Sequence, residues 1–148
     1  TLKRGGIVNP APVVTTDLVP TILALTGVKP PADVRLDGVN FLPLLAQPRP
    51  GDLERALYWH YPHYSNQGGF PGGAVRKGQW KLIENYEDGS VSLYDLQRDP
   101  AEKTDLASAH PDRVAEMRGQ LHAWYREAGA HFLRPGKAGT APWTPGSR

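Results

Sequence analysis

The sequence predicts an α+β fold: a small antiparallel sheet of about four strands packed against a long C-terminal helix, preceded by a strand–helix unit from a larger α/β domain. Three observations predict it. Short strand-like runs between residues 56 and 96 are joined by turn residues rather than by helical crossovers. Apolar residues recur at helical spacing from Pro111 to about Ala128. Near the start, "PVVTTDLVPTILALTG" carries more apolar surface than the later sheet can cover. The expected boundaries are 1–50 for the end of the larger domain (strand, helix, loop), 51–133 for the sheet and helix, and 134–148 for an irregular tail.

Val13 and Val14 read as the short first strand, and Thr16 or Asp17 is placed to cap the helix that follows. Pro20 sits near the helix start, where it loses no internal bond. Leu18, Ile22 and Leu25 repeat at helical spacing, and Gly27 supplies a left-handed stop. Residues 28–40 read as loop around an Asp37-Gly38 turn, and "FLPLL" as a short apolar segment, helical or irregular. "ALYWHY" reads as a strand. In "GAVRKGQWKLIE" the Lys77-Gly78 pair separates the two strands of a hairpin, and "NYEDGS" turns into a further strand, "VSLYDL". "RDPAEKTDL" is a tight polar turn. In the long helix Pro111 suits the first position, and Asp112 and Glu116 favour its start. Val114, Met117, Leu121 and Trp124 form one stripe, and Gly129 ends it.

Composition narrows the function. With 17 basic against 15 acidic residues, the formal charge of +2 is too weak to predict a nucleic-acid partner. The absence of cysteine excludes disulfides, thiolate metal sites and cysteine nucleophiles. No apolar run approaches the roughly 20 residues of a membrane span. "TLKRGGIVNPAPV" lacks the apolar region of a signal peptide, so a targeting segment would lie outside this chain, and a start without methionine fits that expectation.

Few residues carry chemistry. "YWHYPHYSNQGGF" holds His60 and His63, but residues three apart on a strand face opposite sides and Pro62 forbids a helix, so the pair predicts no metal site. Ser65 lies in no nucleophile elbow. Glu87, Asp88, Asp99, Glu102 and Asp105 fall in turns, where carboxylates bond their own backbone. "GGFPGGAVRKG" lacks the spacing of a phosphate loop. The aromatic cluster remains: Trp59 and Tyr61 face one way, Tyr58 and His60 the other. One set is core, and the other leads into a polar loop suited to contact a sugar or aromatic ligand.

The order of motifs is familiar. Asp17-Leu-x-Pro-Thr21, Asp37-Gly38, Arg76-x-Gly-x-Trp80-Lys81 and Leu93-Tyr94-Asp95-Leu96-x-x-Asp99-Pro100-x-Glu102, followed by a helix ending "LHAWYREAGA", resemble the C-terminal part of a type I sulfatase over roughly residues 11–132. The resemblance implies an alkaline-phosphatase-type α/β domain followed by a small sheet-and-helix subdomain. It also implies hydrolysis of sulfate esters by a formylglycine, made from the Cys or Ser of a C/S-x-P-x-R motif, beside a calcium ion held by Asp and Asn oxygens. Neither that motif nor an Asp-Asn-Gly sequence occurs here. No catalytic or metal residue is therefore assigned to this chain, and no cofactor is expected in it; calcium and formylglycine belong to the parent enzyme.

The expected role is to close the parent's cleft and help select substrate, with His60, His63, Tyr64 and Asn66 in contact with the sulfate-bearing group. The chain alone should be inactive. Its expected partners are the missing N-terminal catalytic part and, through the apolar face around Ile22 and Leu25, a second copy of itself. The parent would be periplasmic or secreted if it carries a signal peptide and cytoplasmic otherwise. The rival expectation is a stand-alone binding module that holds carbohydrate through the Trp59–Tyr64 aromatics.

Overall fold

A computed structural model of the chain describes residues 6, 8–46, 54–134 and 143–146. They fall into two compact units, Thr1–Glu54 and Arg55–Arg148.

In the first unit a 3-10 turn, Thr15–Asp17, runs directly into α1 (Leu18–Thr26), and α2 (Leu42–Ala46) follows a loop. α1 ends at Gly27, whose φ of 70° is the left-handed stop read from the sequence. The strand expected before α1 does not form. Val14 is extended (φ −129°, ψ 163°), but a strand needs a hydrogen-bonded neighbour, and the described residues contain one sheet, built entirely from the second unit.

The carboxylate expected to cap α1 has a different task. Asp17 is buried and makes no side-chain cap bond to α1. Its Oδ2 accepts the N–H of Val14 (2.9 Å), and its Oδ1 accepts the N–H of Val39 (2.9 Å). Thr21, one turn on, donates to the Asp17 carbonyl (2.6 Å) and accepts the N–H of Phe41 (3.1 Å). Between these pins a β-carbon on Gly38 would collide with the Thr16 carbonyl. Asp17, Thr21 and Gly38 therefore act together to hold the 38–41 loop against the start of α1.

The second unit is a four-stranded sheet in the order β1–β2–β3–β4, with every pair antiparallel: β1 (Ala56–Tyr61), β2 (Gly72–Lys77), β3 (Trp80–Asn85) and β4 (Val91–Asp95). The β2–β3 turn is Gly78-Gln79, one residue later than Lys77-Gly78, and Gly78 has a φ of 59°. α3 (Pro111–Glu127) covers one face. Val75, Leu82, Tyr86 and Leu93 meet Met117, Leu121 and Tyr125 there. Each fully buried leucine contributes about 2 kcal/mol of apolar transfer.

Tyr58 stacks on Trp124 with 5.1 Å between centroids and 4° between planes, so the Tyr58/His60 side of β1 is the core side. The expected tail, 134–148, lies mostly outside the described residues. Trp143 is described, and its indole is buried in this core against Gly89 and the Tyr86 ring. Among the described residues no helix is long and apolar enough to cross a membrane.

Candidate functional site: the loop after β1 and its polar anchor

Strand alternation and the position of α3 decide where the sequence-predicted residues go. His60 turns inward. Its Nδ1 lies 2.6 Å from Tyr86 Oη and its Nε2 2.8 Å from the His131 carbonyl oxygen, with the Phe132 ring edge-on at 5.1 Å. His63, Tyr64 and Asn66 stay exposed on the loop between β1 and β2. The His63 ring lies against Tyr61 (3.8 Å between centroids), and Tyr64 Oη donates to Glu87 Oε1 at 3.0 Å. That carboxylate holds the Tyr64 phenol proton above its ordinary pKa. Asn66 sits in a turn where Ser65 Oγ accepts the N–H of Gln67 (3.1 Å) and the Ser65 carbonyl accepts that of Gly68 (3.3 Å). His63, Tyr64 and Asn66 thus share one loop, while His60 anchors its base from the opposite side of the strand.

Beneath His60 lies a polar chain with no sequence signature. Glu84, on β3, is fully buried. Its Oε1 accepts Arg118 Nε (2.7 Å), and His122 Nε2 lies 2.8 and 3.0 Å from its two oxygens. Tyr125 Oη is 3.4 Å from Oε2 and 2.8 Å from Tyr86 Oη, which returns to His60. Burial, foremost, pushes the Tyr86 and Tyr125 phenols far above their ordinary range, so both stay protonated. The one available signal was Gly73 in mid-strand. A glycine there marks a close approach, and a β-carbon on it would collide with both phenol oxygens.

The other face of the sheet carries a cavity of about 540 Å³ whose lining includes Trp59, Tyr61, Phe70, Ala74 and Ile83. The small residues of β2 form its trough and the aromatics of β1 its wall. At its rim Lys81 Nζ bonds both oxygens of Glu102 (2.7 and 2.9 Å). Glu102 is the single non-glycine residue among those described with a positive φ, 53°. The turn carboxylates divide accordingly. Asp88, Asp99 and Asp105 accept nearby backbone N–H groups, whereas Glu87 and Glu102 bond to Tyr64 and Lys81.

Calcium takes six to eight oxygen ligands. Among the described residues no group of three or more His, Asp or Glu could hold a metal ion, so the described residues do not fit calcium. Nor does the sequence supply a formylglycine precursor, since it has no cysteine and no Ser-x-Pro-x-Arg.

Comparison with known proteins locates this architecture. Residues 2–128 match the family described as N-sulphoglucosamine sulphohydrolase, C-terminal. A sulfatase of Formosa agariphila is 29% identical over 141 residues, covering 82% of this chain and 26% of that protein. Arylsulfatase K of Rattus norvegicus is 32% identical over 129 residues, covering 81% of this chain and 22% of that protein. Among solved structures, a protein in complex with its substrate D-glucosamine-2-N,6-O-disulfate superposes with a TM-score of 0.61 at 27% identity, covering 74% of this chain and 23% of that one. A 2-O GAG sulfatase superposes with a TM-score of 0.63 at 25% identity, covering 77% and 25%. The chain spans about a quarter of the length of the curated relatives it matches.

Proposed function

This chain belongs to the N-sulphoglucosamine sulphohydrolase C-terminal family, and on that premise we propose that it serves as the C-terminal region of a sulfatase that hydrolyses sulfate esters of sugars. The observation that carries the reading is the match over residues 2–128. The substrate of one structural neighbour, a disulfated glucosamine, supports the sugar assignment. The nucleophile and calcium ligands of such an enzyme would come from the part of the polypeptide that the longer relatives possess. This chain's share is recognition: His63, Tyr64 and Asn66 line the mouth of the cleft, and His60 fixes the loop that presents them.

The test starts with the reading frame upstream of Thr1, searched in phase for C/S-x-P-x-R. The full polypeptide is then assayed for inorganic sulfate released from a sulfated glucosamine and from an aryl sulfate. Turnover by the full polypeptide and none by the 148-residue chain is the expected result. His63→Ala and Asn66→Ala should raise KM for the sugar about tenfold, or about 1.4 kcal/mol, and change kcat less. A frame without the motif, or variants silent on every sulfated substrate, overturns the reading.

One observation favours a second reading, a carbohydrate-binding module: the open trough walled by Trp59, Tyr61 and Phe70. Rings with polar tips at a concave surface suit sugar faces. Titrating the chain with sulfate-free oligosaccharides separates the two. Saturable quenching of tryptophan fluorescence that disappears in Trp59→Ala supports the module, and no quenching removes it.

A further inference from the structure

The hydrogens along this polar chain follow from what each partner can donate or accept. The His131 carbonyl only accepts, so His60 Nε2, 2.8 Å from it, carries a hydrogen in every charge state. The proton that His60 gains or loses therefore sits on Nδ1, 2.6 Å from Tyr86 Oη. When His60 is neutral, Nδ1 accepts, and the Tyr86 hydrogen is committed to it. The 2.8 Å contact between the phenols then needs the hydrogen of Tyr125, which leaves none for Glu84. When His60 is protonated, Nδ1–H donates to Tyr86. The Tyr86 hydrogen turns to Tyr125, and the Tyr125 hydrogen turns to Glu84 Oε2, 3.4 Å away.

We propose that His60, Tyr86, Tyr125 and Glu84 form a proton-responsive relay, in which protonation of His60 reverses both phenol hydroxyls and hands Glu84 an additional donor. His60 and His122, which make no contact with each other along this path, then titrate as a coupled pair through Glu84.

The surroundings favour rotation over ionisation. Both phenols are held above their ordinary range, chiefly by burial, and the β2 backbone at Gly73 leaves no space for a side chain beside their oxygens. The titratable and charged groups that face the relay are Glu84 from β3, Arg118, His122 and Tyr125 from α3, and Tyr86 after β3. Asp88 shares a cavity of about 510 Å³ with Arg118 and His122. A hydrogen bond that Glu84 gains from Tyr125 competes with the bond it makes to His122. Protonated His60 is therefore felt at the contact between Glu84 and His122. It also makes both His60 bonds charge-assisted, which tightens the end of β1 and the segment after α3 as pH falls. The loop bearing His63, Tyr64 and Asn66 starts from that clamp, and the relay stands whether or not the chain acts in sulfate-ester chemistry.

The experiment is an NMR titration of the full chain, following the imidazole 13Cε1 and 15N signals of His60 and His122 through the range where histidines titrate. The His122 curve should be two-step, with one inflection coincident with that of His60. In Tyr86→Phe the hydroxyl link is gone and Tyr125 is free to serve Glu84 permanently. The His122 curve should then become single-step. Tyr125→Phe breaks the same path at the next link and should also abolish the two-step curve. A single-step His122 curve in the unsubstituted chain overturns the relay. A two-step curve that survives both substitutions also overturns it, because the coupling would then be a through-space field.

Discussion

The two units are held together by opposite means. In Thr1–Glu54 Asp17 and Thr21 pin the 38–41 loop by polar contacts and Leu44 is buried, while Ile22 and Leu25 stay 55% and 66% exposed. In Arg55–Arg148 an apolar core lies between α3 and one face of the sheet, and the buried Glu84 carboxylate is bonded by Arg118 and His122. The contrast teaches where each unit's stability resides. The second has a closed core between α3 and one face of its sheet. The first resembles a facing, whose polar pins set its shape and whose apolar helix face remains available to other surface.

The contrast is most easily broken at its extremes. Leu121→Ala empties a fully buried site between α3 and the sheet and should cost about 3 kcal/mol of unfolding free energy. Ile22→Ala, at an exposed position, should stay within about 0.5 kcal/mol. Urea unfolding of the two variants measures both, and equal costs would mean that the first unit has a core of its own. For the chain alone, Ile22→Lys combined with Leu25→Lys should abolish any concentration-dependent association seen by light scattering. Association that survives would have to use a surface other than α1.

Glycines give the next contrast. Gly73→Ala drives a β-carbon into the phenol pair and should cost about 2 kcal/mol. Gly27→Ala meets nothing within 4 Å, and its cost, about 1 kcal/mol, is the backbone strain of a φ of 70°. Thermal melts rank the two, and the reverse order would show that the Tyr86–Tyr125 contact yields easily. In the first unit Asp17→Asn replaces one of two carboxylate acceptors by a donor facing an amide. It should cost about 1–2 kcal/mol, seen as faster hydrogen exchange at Val14 or Val39 and unchanged exchange in β3.

The sequence showed much of this and hid the rest for physical reasons. Alternation and turn glycines located β1 to β4, and the Val114–Trp124 stripe located α3, because both signals are local. The core face of β1 was not local. Period-two spacing separates Tyr58 and His60 from Trp59 and Tyr61 but does not say which pair meets a helix; Trp124 and Gly73 decide that from elsewhere in the chain. Nothing in the sequence around Glu84 announces Arg118 and His122. The segment before α1 has the residues of a strand, but a strand also requires a hydrogen-bonded neighbour, which the described residues do not supply. The motifs Trp80-Lys81 and Pro100-x-Glu102 were visible separately, and their link, the Lys81–Glu102 ion pair, was not.

The smallest expected effect is also confined to the second unit. Asp105 Oδ1 accepts the N–H groups of Leu93 and Ala107, each at 2.9 Å. Burial pushes its carboxyl pKa up, but those two amides, with a hydrogen bond from Ser92, outweigh burial and leave it below the ordinary carboxylate value. A depressed folded-state pKa adds stability that is fully present above the unfolded value and is lost as pH falls through the folded one. The window therefore lies below about pH 4. Asp105→Asn, which keeps the shape of the protonated acid, should be less stable than the unsubstituted chain at neutral pH. The difference should shrink to nothing as acid neutralises Asp105 itself. Parallel urea titrations at pH 7 and pH 3 read it. A gap that persists undiminished at pH 3 would assign the effect to the shape of the 99–107 turn, and the charge of Asp105 would then play no part in holding β4.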